Sequence, residues 1–95
     1  MVSYKLSPLA EEDLKSIFEF GIDRFGVQQA IEYLEGLERH FDKIAETPNQ
    51  YPAIDHIREG YRRGIYRAHS IYFRINRDVI EIMRVLYMQD AGSAL

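Results

Sequence analysis

The chain has 95 residues, a formal net charge of −3 and no cysteine. This length predicts one compact domain over residues 1–95 with a modest core, and the lack of cysteine excludes disulfides and thiolate chemistry. Because no apolar run is long enough to cross a membrane and the first residues lack a signal-peptide core, we expect a cytoplasmic protein.

The first elements are a short strand and a helix. Apolar and polar residues alternate from Val2 to Leu6, which is the period of a half-buried strand. Ser7 and Pro8 then suit the N-cap and first position of a helix, since proline lacks an N–H that would be unpaired there. Apolar residues at helical spacing continue this helix to about Phe25.

A second helix is predicted from Val27 until Pro48 prevents its continuation. Its apolar residues form one narrow stripe. The short hinge at Gly26 makes the two helices an antiparallel hairpin. Five residues are predicted to be mutually buried between this hairpin and a sheet: Leu14, Phe18, Leu34, Leu37 and Phe41.

The rest of the chain is rich in β-branched and aromatic residues and predicts three strands, at Tyr61–Gly64, His69–Ile75 and Val79–Tyr87. A tight turn over 76–78 joins the last two, and Gly60 and Gly64 are interpreted as bends at strand edges. Together with the first strand, placed at an edge or beside the final strand, these elements predict an α+β fold. In it the helical hairpin packs on one face of a small antiparallel sheet.

The facing of the strands is predicted only in part. In the middle strand Ile71, Phe73 and Ile75 share one face, which leaves Ser70, Tyr72 and Arg74 on the other, polar face. The final strand is apolar on both sides. It is therefore expected to be the best-buried strand, but its facing stays open.

Charge is unevenly distributed along the chain. The last 42 residues hold seven of the nine arginines and no lysine, whereas ten of the fifteen acids lie in the first 53 residues. Arginine without lysine favours bidentate recognition of carboxylates or phosphates, although a solvated face covered by aliphatic stems fits the spacing equally well. The candidate binding residues are Arg58, Arg62, Arg63, Arg67, Tyr72, Arg74 and Arg84.

An RNA-cleaving site is an alternative use of the same region. Cleavage by 2′-hydroxyl attack needs cations around the phosphate, an acid and a base. Arg63 and Arg84, with Arg62 and Arg74, are candidates for the cations, Tyr87 for the acid and His69 or Glu59 for the base. The acidic composition, with a pI near 5.6, argues against a nuclease that must bind closely spaced RNA phosphates.

Metal and cofactor sites are not predicted. Asp55 adjoins His56, and His40 lies two residues from Asp42, but neither pair forms a recognised ligand pattern. These residues are interpreted as solvated polar side chains.

Six segments, in order and almost from end to end, resemble the ParE toxins of the ParE/RelE superfamily. The segments are Ser7–Ala10, Phe25-Gly26, Ile44–Pro48, Ile57–Arg63, His69–Phe73 and Ile82–Leu86. The resemblance implies a RelE/ParE-like fold and the toxin half of a bacterial type II toxin–antitoxin pair. It also implies a ParD-like antitoxin, with which the toxin forms a hetero-oligomer, and DNA gyrase as target.

RelE-like relatives on the same fold cut messenger RNA on the ribosome, so that branch is the main alternative. ParE-like sequences usually carry His at the position of Tyr87, and this departure keeps the alternative open. A non-toxic protein-interaction module is a third reading. We expect a toxin that acts by binding proteins, without direct nucleic-acid contact, and whose arginines on the polar sheet face pair with acids of the antitoxin.

Overall fold

The computed structural model describes residues 3–88 and 95. Val2, predicted in the first strand, lies outside these residues. The elements are β1 (Ser3–Leu6), α1 (Pro8–Phe25), α2 (Val27–Glu46), β2 (Arg62–Tyr66), β3 (His69–Asn76) and β4 (Val79–Tyr87), with a 3₁₀ turn at Pro48–Gln50. The order of these elements agrees with the order predicted from the sequence, and the main differences from the prediction concern the sheet.

Both helices have the predicted bounds because their ends carry strong local signals. The Ser7 side chain accepts a hydrogen bond of 3.0 Å from the backbone N–H of Ala10, and Pro8 follows it. Gly26 separates the helices with a φ of 92°, a region that residues with a Cβ rarely adopt. None of the described helices is long and apolar enough to span a membrane.

The strand order is β1-β4-β3-β2. The three later strands form the predicted antiparallel meander, and β1 lies at the edge beside β4, one of the two places expected for it. β1 runs parallel to β4, however, so the sheet is mixed and not wholly antiparallel. This pairing is possible because the hairpin and the meander separate the two strands and return the chain in the same direction.

The predicted bounds of β2 were wrong by two residues at its end, since the strand runs to Tyr66. Gly64 does not bend the edge of the strand. It lies inside the strand, buried, where an added Cβ would be 3.1 Å from Ile44 Cδ1 and 3.4 Å from Tyr51. The glycine is therefore a packing residue beneath α2.

A β-bulge explains why β4 is apolar on both sides. Tyr72 of β3 faces Arg84, but the next residue, Phe73, faces Ile82, so Met83 is the extra residue of β4. Ile82 and Val85 therefore lie on the same side of the sheet although three positions separate them. No simple alternation could have predicted this facing.

The main core lies between the helices and one face of the sheet, the helix face. Leu37 and Phe41 are fully buried there, as predicted, and Leu14 packs on the cluster but is only half-buried. Phe18 and Leu34 are only half-buried, so the prediction of mutual burial was wrong for them. Ile75, expected beside Ile71 and Phe73, is 40% exposed.

A second, smaller cluster covers part of the opposite sheet face, here called the outer face. The segment 52–61 folds over this face and packs Ile54 and Tyr61 on Tyr72 and Leu86. Tyr72 was predicted on a solvated polar face, and this was wrong, because its side chain is 0% exposed. No feature of the sequence predicts that the segment 52–61 covers it.

Candidate partner-binding groove

A groove of about 810 Å³ opens where the two helices pass the ends of β3 and β4. We call it the hairpin groove, and its lining is mainly apolar: Ile17, Phe20, Phe25, Ala30, Tyr33 and Tyr87. Phe20 is 57% exposed and Phe25 64% exposed. Contiguous exposed aromatic surface of this kind marks an interaction site in a folded protein.

The shape of the groove follows from the hairpin geometry. The stripe of α1 ends in Phe25 and that of α2 begins at Val27, and both residues are exposed instead of packed on the sheet. The helices approach closely at Gly21, where an added Cβ would be 3.2 Å from the Cβ of Ala30. Small residues at this crossing leave the larger side chains on the groove walls.

Asp13, on one wall of the groove, forms an ion pair that joins α1 to the bulged strand. Arg84 donates two hydrogen bonds to Asp13, from Nε at 2.8 Å and from Nη2 at 2.9 Å. The same carboxylate accepts the backbone N–H of Val85 at 2.9 Å. Both side chains are largely buried, with 22% and 13% exposure for Arg84 and Asp13, so this planar pair fixes the position of α1 over the bulge.

A second polar group of the groove consists of Tyr33, His69 and Tyr87. The Tyr33 hydroxyl and Nδ1 of His69 lie 2.6 Å apart and share a hydrogen bond. His69 faces Tyr87 across β3 and β4, with ring centres 5.8 Å apart. Burial lowers the pKa of His69, although the charge of Asp13 opposes this shift, and burial raises the pKa of Tyr33. Burial therefore favours the neutral form of His69.

The structure does not bring the predicted binding residues together in one site. Arg62 lies opposite Phe73 on the helix face and donates to the Tyr51 carbonyl at 2.7 Å. Arg63 lies opposite Tyr72 on the outer face. These two neighbours therefore point to opposite sides of the sheet.

The other arginines have separate surroundings. Arg74 donates to Glu81 at 2.6 Å. The guanidinium of Arg58 lies 5.1 Å from the Tyr61 ring centre and donates to the Leu95 carbonyl at 3.4 Å. Arg67 occupies the β2–β3 turn with a φ of 52° and lies over the Tyr66 ring. The arginine-rich half of the chain thus forms several small sites.

Several residues of the groove were missed from the sequence. Asp13 is not among the candidate site residues of the sequence, and Phe25 belongs there to the apolar residues at helical spacing in α1. Phe20 did carry a signal, since it is an apolar residue outside that stripe. Nothing in the sequence could have paired Asp13 with Arg84, because the bulge that allows this contact has no sequence signature.

The pairs considered for metal binding do not expand into a ligand set. Within residues 3–88 and 95, no group of three or more His, Asp or Glu side chains could hold a metal ion. His40 is not a solvated residue as expected. Its ring lies against Tyr51 and Tyr66, and burial lowers its pKa, with the charge of Lys43 acting in the same direction.

Comparison with known proteins gives a consistent result. Residues 4–92 match the family described as "ParE toxin of type II toxin-antitoxin system, parDE". Toxin ParE1 of Mycobacterium tuberculosis is 37% identical over 87 residues, which cover 90% of this chain and 89% of the relative. Toxin ParE1 of Caulobacter vibrioides is also 37% identical over 87 residues, covering 92% and 90%.

A solved structure shares the fold. It is titled "Chromosomal ParDE TA system from P. aeruginosa", and the match has a TM-score of 0.80. The aligned region covers 92% of this chain and 96% of that chain at 22% sequence identity. The strand, the helical hairpin and the meander are therefore a known arrangement.

Proposed function

The chain belongs to the ParE toxin family of type II toxin–antitoxin systems, and we propose that it acts by binding a protein target, without bond-breaking chemistry of its own. The proposed target, from the family resemblance, is DNA gyrase, and the proposed compartment, from the composition of the chain, is the cytoplasm. A ParD-like antitoxin is the proposed neutralising partner.

The observation that carries this proposal is the separation of the four candidate catalytic residues. His69 and Tyr87 face each other in the hairpin groove, on the side of the helices. Arg63 lies opposite Tyr72 on the outer face. A phosphate bound between His69 and Tyr87 would therefore lack the cation that Arg63 was expected to supply.

The second candidate cation, Arg84, already binds a carboxylate within the protein. Its guanidinium is held by both oxygens of Asp13, in a largely buried pair. Moving it to a phosphate would leave the Asp13 carboxylate without its main partner, which is costly in a buried position. Glu59, the other candidate base, is exposed on the segment 52–61 of the outer face. These surroundings support a binding protein over an endoribonuclease.

The hairpin groove is the proposed main contact for the antitoxin. Its exposed aromatic walls fit the apolar face of an amphipathic segment that becomes ordered on binding. Arg67, at the turn beside the groove, and Arg58, on the outer face, have no carboxylate within ion-pair distance among the described residues. They are proposed to pair with acidic residues of the same antitoxin.

The groove assignment can be tested with two matched substitutions. Phe25 and Leu9 are both apolar helix residues, 64% and 53% exposed, but only Phe25 lines the groove. Phe25→Asp should therefore abolish tight antitoxin binding in a pull-down or calorimetric titration, whereas Leu9→Asp should bind normally. Equal binding by the two variants would contradict the groove assignment.

The mechanism can be tested at Tyr87. Tyr87→Phe should remain toxic, because its hydroxyl contributes at most one hydrogen bond of about 0.5–1.5 kcal/mol to a binding interface. A general acid would instead contribute roughly a hundredfold or more to catalysis. Toxicity is measured by expression without antitoxin, together with a gyrase supercoiling assay and a messenger-RNA cleavage assay. A folded Tyr87→Phe protein that binds antitoxin but has lost all toxicity would favour the endoribonuclease.

A further inference from the structure

Two neighbouring residues of the outer face each bury a hydrogen-bonding group that has no partner within the protein. They are the Tyr72 hydroxyl and Nε of Arg63. Tyr72 is fully buried and Arg63 half-buried. Buried polar groups in folded proteins are nearly always paired, so an unpaired one requires an explanation. Here the two unpaired groups belong to residues that are directly opposite each other in the β2–β3 pair.

The two residues are neighbours in the sheet. Arg63 and Tyr72 are directly opposite in the antiparallel β2–β3 pair, so their side chains start from the same face of the sheet. The segment 52–61 covers this face, with Ile54 and Tyr61 packed around Tyr72. Arg63 as a whole is half-buried, whereas its Nε is inaccessible to solvent.

Both groups point to the same kind of ligand. The Nε of arginine can only donate, and a tyrosine hydroxyl donates readily to an anion. The planar arginine edge suits a carboxylate, and an apolar surround strengthens such a charge-assisted bond. Among the described residues no carboxylate lies within ion-pair distance of Arg63.

The charges of the surrounding outer face also favour an anion. Arg58 belongs to the covering segment 52–61, and its guanidinium lies over the Tyr61 ring. It has no carboxylate partner in the described part of the chain. Glu81 is occupied by Arg74 and Lys5, at 2.6 and 3.8 Å. Asp55, on the covering segment, accepts the Gly60 N–H at 2.8 Å. Glu81 and Asp55 thus already have partners, whereas Arg58 and Arg63 have no carboxylate within ion-pair distance among the described residues.

We propose that Arg63 and Tyr72 form a binding site for one carboxylate group, supplied by an acidic side chain of the antitoxin. This inference rests on the proposed function and adds a second contact, on the sheet face opposite the hairpin groove. A peptide carboxylate is preferred to a nucleic-acid phosphate because the chain is acidic overall, at −3, and the site holds one guanidinium within an apolar cover.

The test separates a binding role from a structural role. Tyr72→Phe removes only the hydroxyl, so the free toxin should melt at the same or a higher temperature, because an unpaired buried group is lost. The Kd for the antitoxin encoded beside the toxin gene should nevertheless rise by about tenfold or more, as expected for a hydrogen bond to a charged group. Tyr61→Phe, in the same cluster, is the matched control and should leave the Kd unchanged.

Arginine variants complete the test. Arg63→Lys keeps the charge but removes the planar edge, and it should weaken binding about as much as Tyr72→Phe. The double variant should lose little more than either single variant, because both donors serve one carboxylate. Arg39→Gln, at an exposed residue of α2, is the control for a general loss of positive charge. One acidic residue of the antitoxin, changed to its amide, should lose its effect in the Tyr72→Phe background.

Three outcomes would overturn the inference. A lower melting temperature of free Tyr72→Phe toxin with an unchanged Kd would assign the hydroxyl to an internal water. Binding of a uridine oligoribonucleotide that is lost in Arg63→Lys, with antitoxin binding intact, would assign the site to nucleic acid. If the wild-type toxin did not bind the antitoxin at all, the proposed function would fail and this inference with it, whereas tight binding unaffected by these variants would refute the inference alone.

Discussion

Gly36 provides a test of helix–sheet packing in which the sign of the effect should reverse. This glycine lies in the interior of α2, where glycine normally destabilises a helix by about 1 kcal/mol relative to alanine. It is nevertheless buried, and a Cβ built at this position would overlap the hydroxyl of Tyr66 from β2. Gly36→Ala should therefore displace the Tyr66 ring.

The size of the effect follows from the contacts of that ring. Tyr66 lies edge-on to Tyr33, with centres 5.3 Å apart, and 5.9 Å from the His40 ring. Losing both contacts should cost about 1–3 kcal/mol, since an aromatic pair contributes about 0.5–1.5 kcal/mol. After the gain of about 1 kcal/mol in helix propensity, Gly36→Ala should lower the free energy of unfolding by up to about 2 kcal/mol.

The same substitution in a Tyr66→Ala background should be stabilising, by about 1 kcal/mol, because the obstructing ring is absent and only the propensity gain remains. Urea unfolding of the four proteins of this cycle gives the midpoints and slopes from which the free energies follow. If Gly36→Ala had the same effect in both backgrounds, the proposed contact between α2 and Tyr66 would be refuted.

Three further substitutions or conditions test the core, the ion pair and the histidines. Leu37→Ala removes a fully buried side chain and should cost about 2–5 kcal/mol in a urea melt; an unchanged midpoint would disprove the helix–sheet core. Asp13→Asn should cost about 1–3 kcal/mol, since it weakens a largely buried charged contact and its bond to the bulged strand. Glu81→Gln, whose partner Arg74 is 47% exposed, should have a smaller effect. Burial lowers the pKa values of His40 and His69 in the folded protein, so the unfolded chain binds more protons below about pH 6.5. The free energy of unfolding should therefore fall as the pH drops from 7 to 5. If both histidines are replaced by glutamine, the urea midpoint should depend less on pH over this range.

The helices were predictable because their signals are local. Ser7, Pro8 and Gly26 set the ends of α1 through interactions that reach only a few residues along the chain. The extent of β2 was less predictable, because a glycine such as Gly64 also suits a bend at the edge of a strand. Only its contact with Ile44 of α2 shows that it lies inside the strand as a packing residue. Local chemistry therefore gave the element order, and tertiary packing decided the details.

The candidate site was less predictable than the fold. Phe25 follows the helical spacing of the core residues of α1, yet at the last position of the helix it is 64% exposed. The contact between Asp13 and Arg84 joins residues 71 positions apart and depends on the bulge at Met83. Contacts of this kind require the three-dimensional register, which alternation alone does not supply.

The parallel pairing of β1 with β4 has a consequence for the order in which the toxin can fold. Residues 3–6 are made first by the ribosome but find their partners only at 79–82, after all the other elements have been synthesised. Such a long-range pairing folds late, because the loop must close before the contact can stabilise it. A nascent chain that ends at Asp78 would lack the neighbour of β1, so the backbone amides of β1 should exchange with solvent without native protection. The family's toxic fold would then be completed only late in translation, which leaves an interval in which an antitoxin already present can meet the chain before it is fully folded.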